Sequence, residues 1–520
     1  MQNENLDIVR KIIYLISLIS VGYQFSLLNN QNDFVCILLV FISNIIITRY
    51  CLNPVNFFSY PISNLIIFFS HFVNYGGSLY LKSIELSLIT TRLEEPLSTF
   101  STLFIFHFII LMGHYIYRNL NFAKSLSQYI SIKIDKFGLG KFENLQFLIL
   151  LSILGVLARF FYFNFNVSME LQTYETGATL LQDILAGFSL FIYFPIIIYF
   201  SKYLYNLEIP KKFKLYFLIY FLLIVFFSIA RNSRSLFLDF IFLNFLIFFI
   251  IFLLNKIKMS KKSSFYIIII LIISIPTINI FENLSKNFLF ERSISQTRTP
   301  YENVKSFLNS FSISKSAKEY SFQEDTYLAK QLFFAEDFYE TTLFNRINIL
   351  IIHDNFLFLK KNINKNEVIF LRDLQLGKII SVLPGPIISI FNNEFDKMIF
   401  NKSQTASYLY NKYSNGYYGD NMIGSSLMSL YILFDVWIFP ILLFFFIPFF
   451  ILFDSFYNQK NNFLNPYILL FLYTTNYGIL NFLTLPEISL WFYVIRKIIE
   501  TFLIIYLIKI FFYKIIKQKL

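Results

Sequence analysis

Apolar residues along this chain come in blocks. Runs of about 18–25 residues rich in Phe, Ile and Leu recur from end to end, each long enough as a helix to cross a hydrocarbon core roughly 30 Å thick. The pattern predicts spans near 12–29, 34–50, 55–74, 97–117, 145–165, 178–200, 213–229, 235–254, 264–281, 428–453, 463–483 and 490–512. The fold class is therefore all-α and polytopic, with about twelve transmembrane helices. The third span is the least regular, because Pro54 and Pro61 interrupt it. Proline is tolerated within membrane helices when neighbours satisfy the freed carbonyls.

Loop charge then orients the chain. With the N-terminus inside, the inner segments collect Arg10 and Lys11, Arg118 and Lys124, Lys211 and Lys212, Lys261 and Lys262, and Lys514 and Lys517. The short outer loops carry Asp33, Glu85, Glu94, Glu95, Glu170, Glu175 and Glu487. That asymmetry is the positive-inside rule, and it places both termini in the cytoplasm. Three regions follow: nine spans over 1–281, one large outer loop over 282–427, and three spans with a short basic tail over 428–520. The loop is too long to be a passive connection. Its segment 322–356 has apolar residues at spacings of three and four, predicting an amphipathic helix through Leu328, Leu332, Phe333, Tyr339, Leu343 and Ile347. The stretch GKIISVLPGPIISIF at 377–391 is too short and too broken by Pro384-Gly385-Pro386 to span, and reads as re-entrant or lying on the surface.

Composition sharpens the picture. The chain is 56% hydrophobic and 20% aromatic, with a net charge of +12. High Phe, Ile, Asn, Lys and Tyr content is that of an AT-rich coding sequence. The lysines therefore read as membrane-flanking residues, and no nucleic-acid partner is expected. Cys36 and Cys51 support neither a disulfide framework nor a thiolate metal site. No small-residue cleavage pattern follows the first apolar stretch, so the first helix is expected to be retained. The chain has no GxxxxGK[ST] loop and no His/Cys/Asp metal cluster, so neither nucleotide, cofactor nor metal is expected. Nine spans, a loop and three spans do not make the two matching halves of a carrier.

Charges placed where they are costly mark the candidate chemistry. In FSIARNSRSLFLDF, 227–240, Arg231 and Arg234 occupy a tight outer hairpin between two predicted spans. Spaced three apart, they share a face if the following helix starts early. Two guanidiniums at headgroup height suit an anion with several oxygens, such as a phosphate or pyrophosphate. A lipid headgroup or an acid of the long loop would satisfy them as well. Arg159 lies within the fifth span, where an arginine points to function unless it snorkels outward. The loop adds Arg292, Arg298, Arg346 and Arg372, of which Arg346 on the amphipathic segment is the best placed. His353 is the loop's histidine and a candidate proton acceptor; a structural role is the competing reading. Arg496 is expected to pair with Glu500, Asp239 to hold Arg234 or Ser235, and His107 and His114 to bond between helices.

These features together resemble Wzy-type O-antigen and oligosaccharide repeat-unit polymerases. The resemblance rests on many spans with one large late outer loop, and on SIARNSRSLFLDF, which looks like the family's Arg-bearing turn before a membrane helix. It rests also on YSNGYYGDNMIGSSLMSLYILFDVWIFPILLFFF at 413–446, where Gly424, Ser425, Ser426, Tyr431 and Phe434 match a Gly-Ser stretch leading into "xxYxxFGxxG". Asp435 and Phe439 stand near the family's two glycines, and Ser429 and Leu430 replace an acid often found before the Tyr. The "PRxxWPxKP" stretch is only echoed by LPGPIISIFNNEFDK at 383–397. The resemblance implies a GT-C-like architecture in the bacterial inner membrane. It implies metal-independent transfer of a glycan from undecaprenyl pyrophosphate to the sugar end of the next lipid-linked repeat unit, building O-antigen, capsule or exopolysaccharide. Partners would be those lipid-linked oligosaccharides, membrane lipid and a polysaccharide chain-length regulator. On that reading Arg231, Arg234, Arg346 and His353 form the catalytic group. Arg159, Arg231, Arg234, Arg292, Arg372 and Tyr431 bind the lipid-linked substrate. Two alternatives stay open: an O-antigen ligase, which would use a loop histidine, and a flippase for lipid-linked sugars.

Overall fold

The computed structural model describes the chain except residues 1–3, 141–143, 166–184, 186, 231–233, 258–304, 306–338, 340–343, 346–347, 392–394, 398–399, 401–403, 415–423, 460–462, 473–477, 481 and 518–520. The described residues are overwhelmingly helical. In chain order come α1 (Glu4–Ser26), α2 (Gln31–Cys51), α3 (Pro54–Ser59), α4 (Pro61–His71), a π-helical turn (Phe72–Gly76), α5 (Gly77–Ile84), α6 (Pro96–Asn119) and α7 (Asn121–Lys136). Then follow α8 (Leu145–Phe165), α9 (Phe194–Tyr205), α10 (Phe213–Ala230) and α11 (Arg234–Leu253). The loop region contributes α12 (Leu350–Lys360), α13 (Lys365–Ser381), α14 (Gly385–Phe391) and α15 (Thr405–Ser414). The chain ends with α16 (Ser426–Phe434), α17 (Ile438–Phe445), α18 (Ile447–Asp454) and α19 (Ile488–Lys517).

Among the described residues, four segments are long and apolar enough to cross a membrane: Gln31–Cys51, Pro96–Asn119, Leu236–Leu253 and Ser426–Asp454. The third predicted span is broken where its prolines stand, Pro54 and Pro61 each opening a new helix at its first turn, where the missing N–H costs nothing. The predicted span 463–483 is not one helix among the described residues. It holds a two-residue strand at Phe463–Leu464 and 3-10 turns at Ile468–Phe471 and Phe482–Thr484. Asn465, Pro466, Gly478 and Asn481 punctuate that run, and its apolar count hid them. The predicted span 264–281 lies outside the described residues, as do 322–338, 340–343 and 346–347 of the amphipathic segment 322–356, whose last part falls in α12.

The chain divides into two compact units. The first holds residues 1–130, 325–457 and 476–496; the second holds 131–324, 458–475 and 497–520. In the first, α6 is the central post, packed against α2, α4, α12, α17 and α18. A Cβ on Gly113 would sit 2.5 Å from the Leu443 carbonyl oxygen, so glycine is what lets the α6 and α17 backbones touch. Gly113→Val is expected to cost about 1–3 kcal/mol, because backbone cannot yield as a side chain can. A lowered thermal midpoint in detergent is the readout, and an unchanged one would mean that the two helices pack without this contact.

Distant aspartates close two helix starts in this unit. Asp354 of α12 accepts from the Glu94 and Glu95 backbone N–H groups (2.7 and 3.0 Å) and from the Thr99 hydroxyl (2.7 Å), capping α6. Asp454 of α18 accepts from the Ser63 N–H (3.1 Å) and hydroxyl (2.6 Å), capping α4. Each satisfies donors that a helix start leaves orphaned. Each also ties together segments hundreds of residues apart.

The second unit packs α8 against the 3-10 turn Ser189–Tyr193 and α9, with α10 and α11 alongside. Tyr220 donates to the Ile192 carbonyl (2.5 Å) and Tyr193 to Asp239 (3.2 Å). An apolar slot of about 280 Å³ opens between α8, α9 and α10, lined by Ile149, Ile153, Ile198, Phe213, Phe217 and Tyr220.

Candidate functional site

In the first unit two helices of the long loop, α12 and α13, pack on α16. The residues they bring there are charged and aromatic. The Lys360 ammonium lies 3.4 Å from the centre of the Tyr431 ring and pairs with Asp435. Arg372 donates to the Leu433 carbonyl (3.3 Å), and its guanidinium sits 5.7 Å from the Phe434 ring. Lys361 pairs with Glu95 at the start of α6. Tyr431 in turn packs on Phe106 and Phe439. Lys360, Lys361, Arg372 and Tyr431 are all at least partly exposed, so this patch can meet an anionic or sugar-bearing ligand.

The chain turns sharply here. α16 ends at Phe434, and Asp435 takes φ 50°, ψ −136°, backbone that glycine adopts freely and an L side chain does not. A 3-10 turn at Asp435–Trp437 follows before α17 begins. Asp435→Gly is expected to stabilise the fold by up to about 1 kcal/mol, since relieved strain outweighs a part-exposed ion pair. A fall in thermal midpoint would show that the pair with Lys360 is the stronger term.

His353 stands two turns before Lys360 on α12 and is 1% exposed. The Ser425 hydroxyl donates to its Nδ1 (2.8 Å), and its Nε2 donates to Asn74 Oδ1 (3.0 Å). Ser425 also accepts the Met428 N–H as the N-cap of α16. Burial, with a smaller push from His107, holds the imidazole at about 3, so it is neutral at physiological pH. Both ring nitrogens are committed inside the fold, which is the arrangement of a brace between α12, α16 and the π-turn.

The other histidines continue this polar seam. His71 donates to Asn44 (2.7 Å), which donates to the Gly76 carbonyl and to Tyr80. The His71 and His107 rings stand 5.0 Å apart, and His107 bonds the Leu103 carbonyl of its own helix and interacts with the Ser70 backbone of α4. His114 bridges helices: it bonds Tyr50 of α2 (2.9 Å) and Ser63 of α4 (2.8 Å). A buried pair, Lys378 with Glu487, fastens α13, and the Glu487 carboxylate also accepts the Thr405 N–H (3.0 Å).

Of the sequence-predicted site residues the structure brings Tyr431 and Arg372 to the C-terminal end of α16, while His353 bonds Ser425 at the N-terminal end of that helix. Arg346, Arg292 and Arg231 lie outside the described residues; Arg234 is the first residue of α11, in the second unit. Arg159 sits on α8 of the same unit, half-buried. Glu500 pairs with Lys497 (3.0 Å), while Arg496 donates to the Val382 carbonyl (2.6 Å). Sequence reasoning missed Lys360 and Asn74, and had Ser425 only as a motif match. The signal for Asn74 was a polar side chain within an apolar run; Lys360 gave none, being one lysine among many. No protein-family model, curated protein or solved structure matches this chain.

Proposed function

We propose that this chain is a membrane glycosyltransferase that polymerises lipid-linked oligosaccharide repeat units, carried on undecaprenyl pyrophosphate, at the outer face of a bacterial inner membrane. The observation that carries the reading is the patch where α12 and α13 meet α16. Lys360 and Arg372 stand beside Tyr431 and Phe434, within the segment that resembles the polymerase pattern. Asp435, standing where that pattern has its first glycine, adopts glycine-like backbone. Aromatic faces suit sugar rings, and fixed cations suit a pyrophosphate leaving group whose charge grows in the transition state. The apolar slot of the second unit has the lining a polyprenyl chain needs. Arg159, Arg231, Arg234 and Arg346 remain candidates from the sequence for holding the pyrophosphate.

The ligase alternative leans on a loop histidine as base. Here the loop histidine is buried and bonded at both nitrogens, which leaves no free lone pair for a base, counts against the ligase and takes His353 out of the catalytic group as well. The test is glycan length on a gel. Cells lacking this protein are expected to show single repeat units on surface lipid and no ladder; long glycan stranded on the carrier would make the protein a ligase instead. Arg231→Ala is expected to remove the ladder, and Arg231→Lys to restore it only in part, since lysine lacks the bidentate fork. Normal polymer from Arg231→Ala would remove that residue from the clamp.

A further inference from the structure

α13 and α14 form a helix broken at Pro384, and they expose apolar side chains in a regular line. Ile369, Leu376, Ile380, Leu383, Ile387 and Ile390 follow one another at steps of seven, four, three, four and three residues. Ile369, Leu376 and Ile380 share one face of α13, and Leu383 in the break and Ile387 and Ile390 on α14 carry the exposed apolar series on. Each is more than 40% exposed, and Ile390 reaches 78%. The opposite face of α13 is buried through Leu371, Leu374, Gln375 and Lys378. Two elements with their inner faces already packed thus present a second, outward apolar stripe.

What lies beside the stripe identifies its partner. α13 packs on α16, and Arg372 bonds the last turn of α16. α16 itself is enclosed by protein, but from Val436 and Trp437 onward the chain turns apolar residues outward: 56% and 74% exposed there, then Ile441 and Phe444 on α17. α17 and α18 together run Ile438–Asp454, about 25 Å of helix, most of the roughly 30 Å of a hydrocarbon core. Trp437 therefore marks the interface level, where indole rings concentrate. Cations border the stripe: Arg372 on α13, and Lys397, which donates to the Leu383 carbonyl (2.9 Å); Asp373 and Asp396 are the acids next to them in sequence.

We propose that α13 and α14 lie in the plane of the lipid interface, with the Ile369–Ile390 stripe in the headgroup–acyl boundary of the leaflet that holds Trp437. The occupant is lipid, because α13 packs on α16, the helix that leads into the exposed apolar surface from Val436 to Phe444, and because the cations beside the stripe suit anionic headgroups. One consequence is that Lys360, Arg372 and Tyr431 are held at phosphate depth. The inference stands whether or not the chain proves to be a polymerase.

The full chain in nanodiscs of phosphatidylethanolamine and phosphatidylglycerol tests it. Cys36 and Cys51 are both 0% exposed, so a nitroxide reagent marks an introduced cysteine selectively. At Ile380→Cys and Ile390→Cys the label is expected to collide severalfold more with oxygen, which concentrates in lipid, than with a water-soluble nickel chelate. At Asn362→Cys, in the exposed turn between α12 and α13, the preference is expected to reverse. A nickel preference at Ile390→Cys equal to that at Asn362→Cys overturns the proposal. So does dipolar broadening that vanishes on dilution with unlabelled protein, which would make the occupant a second copy. The unmodified protein gives an independent reading, having two tryptophans, of which Trp491 is 0% exposed. Lipids brominated near the headgroup are expected to quench the Trp437 half of the emission, and unquenched emission overturns the proposal too.

Discussion

Glu487→Gln is expected to cost about 3–5 kcal/mol of stability, with a loss that deepens as the pH falls from about 10 toward 7. Lys378 and Glu487 are 5% and 7% exposed, so removing one charge strands the other in a dry site. Glutamine keeps an acceptor for the Thr405 N–H, which isolates the charge as the variable. Burial already lowers Lys378 below its ordinary 10.5, against the opposing pull of the Glu487 charge and hydrogen bond. The substitution removes that opposing pull, so the lysine falls further. A basic group depressed in the folded state binds fewer protons there than when unfolded. Its contribution is therefore complete above about 10.5 and lost as the pH falls through the folded value. The Glu487→Gln midpoint should accordingly be higher at pH 10 than at pH 7. Lys378→Met combined with Glu487→Gln removes both charges, and is expected to recover part of the loss and to show no such slope. A single variant with no pH dependence would mean that Lys378 reaches water when its partner is gone.

The membrane character of the chain was legible because a helix in lipid needs a long apolar run, and composition alone reveals such a run. The breaks at Pro54, Pro61 and Pro384 were legible for a similar reason: proline removes a donor and ends a helix locally. The irregular course of 463–483 was not, since its Asn and Gly residues lie among aromatics that keep the average apolar. The site was less visible still. Tyr431 stood out through a motif and Arg372 as a charge in a loop, but Lys360 joins them only through tertiary packing of α12 on α16. His353 illustrates the ambiguity of single residues. Its type suggested a proton acceptor, and only burial and the partners Ser425 and Asn74 show what occupies its nitrogens. Asp354 and Asp454 carried no distinguishing pattern either, because a cap supplied from a distant segment leaves no spacing to read.

Asp454→Ala is expected to lower stability by about 3 kcal/mol or more, a larger effect than one hydrogen bond gives. The carboxylate accepts from the Ser63 N–H and hydroxyl and from the Tyr117 hydroxyl (3.1 Å), and it is 5% exposed. Alanine leaves the first turn of α4 uncapped, at about 0.5–2 kcal/mol, and strands buried hydroxyls at about 1–3 kcal/mol each. The damage spreads, because the Ser63 hydroxyl has one proton. Donating it to Asp454 obliges Ser63 to accept from His114 Nε2, which fixes the His114 tautomer and lets Nδ1 accept from Tyr50. Arg118 stands 5.6 Å from the Tyr50 ring, at the end of this chain of bonds. Losing Asp454 frees Ser63 to turn its proton toward His114 and unsettles each later member. Asp454→Asn keeps the shape and one acceptor, so it is expected to cost less than half as much. Ser63→Ala in the Asp454→Ala background is expected to cost at least 1 kcal/mol less than in the wild type, the mark of partners in one network. Strict additivity in that double-mutant cycle, read from thermal or denaturant unfolding in detergent, would mean that Asp454 and Ser63 act separately and that the aspartate is a simple cap.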